Sequence, residues 1–359
     1  MSTTAIKAPR SRREFLAKAC AGLVGIGLAP RGATALPHVS GRSPVNGPVS
    51  RERSTGTGFI YDQRYLEHVL PQRRGETHPE RPLRLVRIQE ELARRGLDKQ
   101  VVSMPLLADP RPFIESHHTA EHVAAVREIA ITGPVAELAV GGALGGVDAV
   151  ARGVVRNAFC AGRPPGHHAN NTGSEEGFCF YSNAAIAARY AQSVHGFEKV
   201  LIIDWDYHHG NATQNAFYDD PTVLFFSTHD RNAYPGTGDP ALVGTEAGEN
   251  LNINVHLECG ASDADMLAAW DRQLLPAASA FRPDLVIISA GFDSRRDDLL
   301  GCFDVTDDAF RRMTAMAMEL ADNYCDGRVV SLLEGGYNVD GTAVATAAHI
   351  ETLLDHNRS

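Results

Sequence analysis

The sequence predicts one α/β domain with a central, mostly parallel β-sheet flanked by helices, and three observations carry that prediction. From Thr57 onward, short β-branched runs alternate with apolar patterns at helical spacing. Several of the short runs are nearly continuous in apolar residues, the mark of parallel strands buried on both faces. Clusters of His, Asp and Gly directly follow almost every one of these runs, and loops at the carboxyl ends of strands are where open α/β sheets build their ligand sites.

The first 35 residues form a separate unit. Lys7 to Arg13 is basic, and Ser11-Arg12-Arg13-Glu14-Phe15-Leu16 matches the twin-arginine export pattern. An apolar stretch follows from Ala19 to Ala29, and Ala33-Thr34-Ala35 offers a small-residue cleavage site. That stretch is about half the roughly 20 residues a membrane span needs. Residues 1–35 therefore read as a removable signal, with the twin-arginine machinery as partner and a periplasmic or extracellular destination. No other segment reads as long and apolar enough to cross a bilayer. Residues 36–56 are rich in Gly, Ser, Pro and Arg and read as an irregular lead-in.

The catalytic domain then spans 57–359. Strands are predicted at 158–160, 200–204, 223–227, 251–255, 285–289 and 329–333. Helices are predicted near 80–95, 119–131, 143–155, 183–194, 265–280, 307–324 and 341–355. No repeat and no second domain interrupts this order. A hydrophobic content of 43% is ample for a sizeable core.

Charge narrows the partners. The whole chain carries −10, and removing the six basic residues and one acid of the first 35 takes it to −15. Such a surface repels phosphate backbones, which excludes nucleic acid, and draws cationic small molecules weakly at physiological salt. The six cysteines show no C-x-x-C spacing, so a structural zinc knuckle is not indicated. Five remain after processing, so at least one stays unpaired; Cys160 and Cys179 read as small buried hydrophobes, and the sequence leaves any pairing open.

The chemistry lies in the loops after the strands. In Asp204-Trp205-Asp206-Tyr207-His208-His209-Gly210-Asn211, strand alternation puts Asp204, Asp206 and His208 on one side. Asp206 and His208 can then face one ion, and Asp293, after the strand at 285–289, can supply a third ligand. Two carboxylates and one imidazole leave an open position for water, as a catalytic zinc requires, although such ligation also suits iron, cobalt or manganese. On its own, an Asp-x-His pair more often caps a helix or bonds at the surface. Arg163-Pro164-Pro165-Gly166-His167-His168 places two histidines behind a rigid turn, which suits general acid–base work. Asp204 and Asn211 are the residue types that would orient them. Taken alone, the histidine pair also fits a second metal site or an exposed turn. In Glu334-Gly335-Gly336-Tyr337-Asn338, the two glycines free the backbone to aim a phenol at a developing oxyanion, where a lone Gly-Gly-Tyr is usually just a turn.

Together these stretches resemble the histone deacetylase and acetylpolyamine amidohydrolase superfamily, in its bacterial class II-like branch. The matching segments are His78-Pro79-Glu80-Arg81-Pro82, 163–169, Gly177-Phe178-Cys179-Phe180, 204–211, Tyr234-Pro235-Gly236-Thr237-Gly238, 289–293 and 334–338, in family order across about 58–350. The resemblance implies the arginase–deacetylase fold, with one zinc held by Asp206, His208 and Asp293. His167 and His168 would be the acid–base pair, with Asp204 and Asn211 behind them, and Tyr337 the oxyanion donor. Gly177, Phe178, Tyr234 and Gly336 would contact the acyl-amine stem. A structural potassium ion would be bound by Asp204, Asp206, His208, Ser227 and Thr228. The expected reaction is hydrolysis of an N-acyl, above all N-acetyl, amide of a small amine such as an acetylpolyamine or acetyl-lysine-like compound.

Asn211 stands where many class I enzymes have Asp, in keeping with the class II-like branch. Tyr234 departs from the more usual Phe and adds a hydroxyl at the channel mouth, and residues 170–176 carry no pattern that points to a substrate. Family members are monomers, dimers or tetramers, so a homo-oligomer is compatible with the resemblance. Two other readings share these features. One is a two-metal ureohydrolase of arginase type, disfavoured because Asp293 is followed by Ser294-Arg295-Arg296 rather than a further carboxylate. The other is a non-catalytic amine-binding protein, disfavoured by the intact His167, His168 and Tyr337.

Overall fold

A computed structural model describes residues 56–71 and 77–358; the signal reading at 1–35 and the lead-in to residue 55 lie outside them. The chain alternates strand and helix. β1 (Thr57–Ile60) is followed by a 3-10 turn at Gln63–Glu67, α1 (Leu83–Arg95), β2 (Val102–Met104), α2 (Arg111–His117), α3 (Ala120–Arg127) and α4 (Thr132–Ala151). β3 (Asn157–Cys160), α5 (Asn183–His195), β4 (Val200–Asp204), α6 (Asn211–Phe217), β5 (Val223–Asp230) and β6 (Asn252–Leu257) come next. α7 (Asp263–Ala269), a π-turn at Trp270–Leu274, α8 (Leu275–Phe281), β7 (Leu285–Ala290), α9 (Asp307–Tyr324), β8 (Val329–Leu333) and α10 (Val339–His356) complete it.

The eight strands form one sheet in the order β2-β1-β3-β8-β7-β4-β5-β6, and every pairing is parallel. The expected sheet is thus wholly rather than mostly parallel. Its central strands are buried on both sides, which explains their unbroken apolar runs. Leu201, Ile203, Val286 and Ile288 join one core layer with Phe310 and Met313 of α9 and Ile350 of α10. Val200, Ile202 and Ile287 join the opposite layer with Leu144 and Val147 of α4 and Ile186 of α5.

Local chemistry sets the helix ends. Thr306 caps α9 by accepting from the Ala309 N–H, with Asp307 and Asp308 in the first turn where the helix dipole favours acids. Asn338 caps α10 through the Gly341 N–H. Gly96 closes α1 in the left-handed conformation at φ +69°.

The structure corrects several expectations. The helix expected at 143–155 runs instead from Thr132 to Ala151, because Gly141, Gly142, Gly145 and Gly146 sit inside it as close-packing positions. A Cβ on Gly145 would strike the Pro105 carbonyl, and one on Gly142 the Tyr65 hydroxyl. This helix is long and apolar enough to span a membrane by composition, contrary to the sequence reading, and most of it is buried in the domain core. The 119–131 helix stops at Arg127, and the 265–280 helix is broken by the π-turn. β1 and β2 were not anticipated. Cys259 and Cys302 form a disulfide with Cα atoms 5.2 Å apart, while Cys160, Cys179 and Cys325 are buried free thiols.

Candidate active site

Parallel strands send all their carboxyl ends to one edge of the sheet, and the polar loops of β3, β8, β7, β4 and β5 meet there. Register does the first part of the work: Asp204, the last residue of β4, lies opposite Ser227 on β5 and Ser289 on β7. The chain leaving β4 then brings Asp206 and His208 beside Asp293 from the loop after β7. His208 Nδ1 lies 3.1 Å from Asp206 Oδ1 and 3.0 Å from Asp293 Oδ2. All three side chains are buried. The remaining oxygens are held by backbone donors: Asp293 Oδ1 accepts from the Tyr207 N–H at 2.8 Å and Asp206 Oδ2 from the Gly335 N–H at 2.8 Å. A Cβ on Gly291 or Gly335 would collide with these carboxylates, so the two glycines make room for them.

Two buried carboxylates around one imidazole are costly without a cation. Among protein groups alone, burial first and Asp206's charge second push Asp293 up to about 7. Hydrogen bonds to Asp206 and Asp293 outweigh burial at His208 and raise it to about 10. Donor types, separations and buried charge all fit one divalent ion of zinc's preference.

The turn at residues 163–168 delivers the histidine pair. Their ring centroids are 3.9 Å apart with the planes tilted by 40°, yet they face different partners. His167 Nδ1 is 3.0 Å from Asp204 Oδ2, and His168 Nδ1 is 2.8 Å from Asn211 Oδ1. Asn211 is not in the loop, as the sequence suggested, but opens α6. Burial alone would lower both histidines. At His167 the charges of Asp206 and Asp204 outweigh it and hold the ring well above the ordinary value. At His168 nothing does; burial, His167 and His208 together hold it well below. A neutral amide behind one ring and a carboxylate behind the other thus separate two adjacent histidines into a proton acceptor and a cation.

Tyr337 enters from the loop after β8. Its ring is 4% exposed, edge-on to Phe178 at 5.7 Å and beneath the Arg84 guanidinium at 5.2 Å. Burial, then Asp293 and Asp206, raise its phenol well above 10, so it stays a donor at neutral pH. Its backbone is clamped from both sides. Asp298 Oδ2 accepts from the N–H groups of Tyr337 at 2.6 Å and Asn338 at 3.0 Å, while Oδ1 accepts from those of Leu300 and Gly301. Arg84 donates to the carbonyls of Glu334 at 2.5 Å and Gly336 at 2.6 Å. Glu80 in turn binds Arg84 and, through both oxygens, Arg163 at the head of the histidine turn.

Gly177 and Tyr234 lie against His168, and Phe178 lies against Tyr337. Tyr234 packs edge-on to His168 at 4.9 Å, and His78 packs edge-on to Phe178 at 4.8 Å. Gly177 has φ +53°, and a Cβ there would strike both His168 and Tyr234. Gly336, at φ +119°, shapes the turn before Tyr337. Of the residues expected to hold a monovalent cation, Asp204, Asp206 and His208 are buried together with Ser227 and Thr228. Ser227 Oγ pairs with His229 Nδ1, and Thr228 Oγ1 is buried without a hydrogen-bond partner.

Sequence reasoning missed Glu80, Asp298 and the carboxylate of Glu334. Glu80 and Glu334 both lie inside motifs that were recognised, and Asp298 follows Asp293 by five residues. Their charge was the available signal, but its significance depends on burial, which one-dimensional reading does not supply.

Comparison with known proteins agrees with this geometry. A histone deacetylase domain model matches residues 132–353. The chain is 40% identical to histone deacetylase 15 of Arabidopsis thaliana over 331 residues, covering 87% of this chain and 58% of that protein. It is 35% identical to a probable deacetylase of Archaeoglobus fulgidus, covering 79% and 82%, and 34% identical to the human polyamine deacetylase HDAC10, covering 83% and 48%. The chain spans about half the length of several of the curated relatives it matches. The crystal structure of the HDA15 HD domain superposes with a TM-score of 0.80 at 39% identity, covering 84% of this chain and 90% of that one.

Proposed function

The chain belongs to the histone deacetylase domain family, and on that premise we propose that it is a zinc-dependent amidohydrolase that deacylates a small acylated amine. The observation that carries the reading is the meeting of a three-ligand metal cluster, a histidine pair of split basicity and a protonated buried phenol at one sheet edge.

Asp206, His208 and Asp293 would hold the zinc, which when bound supplies Lewis-acid polarisation of the amide carbonyl and a lowered pKa for water. Asn211 fixes the proton on His168 Nδ1 and leaves Nε2 free to accept one. The charge retained on His167 by Asp204 stabilises negative charge developing nearby, and the histidine pair returns a proton to the departing nitrogen. Tyr337 donates to the oxyanion from a backbone held by Asp298. Phe178 and Tyr234 flank the stem of the acyl amine, with Gly177 leaving room beside it. Asp204, Asp206, His208, Ser227 and Thr228 would hold a potassium ion below, a place supported by the unpartnered Thr228 hydroxyl.

The twin-arginine pattern supports export, which directs the reading toward acetylpolyamines or acetyl-lysine-like compounds outside the cytoplasm rather than histones. Deacetylase-named relatives favour this chemistry over the ureohydrolase alternative. The test is acid release by the zinc-loaded mature protein from acetylputrescine, acetylspermidine, an acetyl-lysine peptide and a trifluoroacetyl-lysine reporter. Polyamine turnover with kcat/KM above roughly 10⁴ M⁻¹s⁻¹ supports a polyamine deacetylase. Turnover of the reporter alone keeps the chemistry and rejects the substrates named here. Zinc bound with no turnover rejects the enzyme and leaves amine binding.

A further inference from the structure

Beside the three-ligand cluster lies a second group of donors, two of which, Cys179 and Glu334, the reaction above does not use. Glu334 sends Oε2 to the N–H groups of Gly166 at 2.6 Å and His167 at 3.3 Å. Its other oxygen, Oε1, is buried with no hydrogen-bond partner, an expensive arrangement for a carboxylate. Cys179 is a fully buried free thiol that donates to the Gly177 carbonyl at 3.5 Å and lies in hydrogen-bond contact with the His168 backbone. His167 has Nδ1 engaged with Asp204, while its Nε2 lies 3.8 Å from Asp206 Oδ2 at the edge of the first cluster. One donor atom from each of His167, Cys179 and Glu334 lies within 4.8 Å of the other two.

We propose that His167, Cys179 and Glu334 form a second, inhibitory metal site that takes a soft or borderline divalent ion such as zinc. Imidazole, thiolate and carboxylate together are a zinc donor set and a poor one for magnesium, calcium or potassium. A tetrahedral zinc spaces such donors about 3.3–3.6 Å apart, so side-chain adjustments of roughly an ångström close the cluster. Occupancy gives the orphaned Glu334 oxygen a partner. Charge also balances: a thiolate and a carboxylate neutralise the ion, and the Cys179 thiol proton and the His167 Nε2 proton both leave to solvent as the metal–sulfur and metal–nitrogen bonds form, so binding tightens as pH rises. The neighbouring catalytic ion repels a second one, which makes this the weaker of the two sites. Because the ion occupies the His167 nitrogen that faces the reaction, it stops turnover.

This group is not the second site of a ureohydrolase. That chemistry uses added aspartates and needs both ions for activity, whereas here the second ion consumes a histidine of the acid–base pair.

The inhibitory consequence rests on the proposed role of His167; the site itself does not. Mature protein carrying one equivalent of zinc is titrated with Co²⁺ while absorbance and turnover are followed together. The first cluster has no sulfur donor, so a near-ultraviolet sulfur-to-cobalt charge-transfer band reports the second site alone. The expected result is a band that saturates at one further equivalent as turnover falls in parallel. Cys179→Ala should abolish the band and raise the inhibitory cobalt concentration by about tenfold or more, the least expected for a lost ligand. Glu334→Gln, which keeps the shape of the side chain, should weaken both signals. Absence of the band, or its survival in Cys179→Ala through Cys160 or Cys325, overturns the site. A band that saturates while turnover is unchanged keeps the site and removes His167 from the reaction. Turnover that rises with the second equivalent overturns the inhibitory reading in favour of a two-ion catalyst.

Discussion

At the scale of single residues, Tyr337 and Asp298 form one device, and their substitutions should show it. Tyr337→Phe removes the proposed oxyanion donor and should lower kcat roughly 10²–10³-fold, measured in the zinc-loaded enzyme; wild-type turnover would remove the phenol from the mechanism. Asp298 touches no reacting atom, but its two oxygens accept four backbone N–H groups, two of them from Tyr337 and Asn338. Asp298→Asn turns one of these acceptors into a donor facing N–H groups. It should lower kcat about tenfold or more at little change in KM, with zinc content intact. In a Tyr337→Phe background the same change should cost almost nothing, since residues acting as a unit are non-additive. Equal costs in both backgrounds would make Asp298 a general structural residue.

At the scale of elements, what the sequence made legible follows from burial. β4, β7 and β8 are buried throughout, so their apolar runs marked them within a residue, and the clusters that follow them were readable as loops. β1 has four residues and β2 three, and β2 lies at an edge with Val102 largely exposed. Segments that short carry almost no periodicity. Gly133, Gly141 and Gly142 hid the first half of α4, because glycine weakens local helix preference and only tight packing, against the Val126 and Leu107 carbonyls and the Tyr65 hydroxyl, accounts for its use. In the site, ligand types could be read from loop position. The roles of buried charges such as Glu80 could not, because that residue's partners lie on other elements.

Glu80 also makes a prediction at this scale, since it joins α1 to the turn carrying the histidines. Burial would raise its pKa, but Arg163 and His68 outweigh that and hold it well below 4.5. A depressed folded pKa means stability that is fully present above the unfolded value and lost as pH falls through the folded one. Glu80→Gln should therefore cost about 3–5 kcal/mol at pH 7, the penalty for breaking a buried ion pair. The gap between the two proteins should narrow in denaturant unfolding as pH drops below 4.5. A gap independent of pH would refute the charge-based account.

At the scale of the whole molecule, the proposed metal centre joins loops from strands far apart in sequence, so chelation should loosen the domain as well as silence it. Stripping the metal should lower the unfolding midpoint, and zinc returned at about 100 times its dissociation constant should restore roughly 2.7 kcal/mol. An unchanged midpoint in calorimetry would mean that the cluster is preorganised without its ion. The strand order has a different consequence, one that concerns synthesis. β8 is the last strand made, yet it lies mid-sheet between β3 and β7. At ribosomal rates of about 5–20 residues per second, roughly 10–30 s separate the emergence of β3 from that of β8. Throughout that interval the outer edge of β3 is open to any passing strand, and once β7 has been made its facing edge is open as well. Chaperone capture of the growing chain, and premature stops before residue 329, should therefore decide its yield far more than changes on its finished surface.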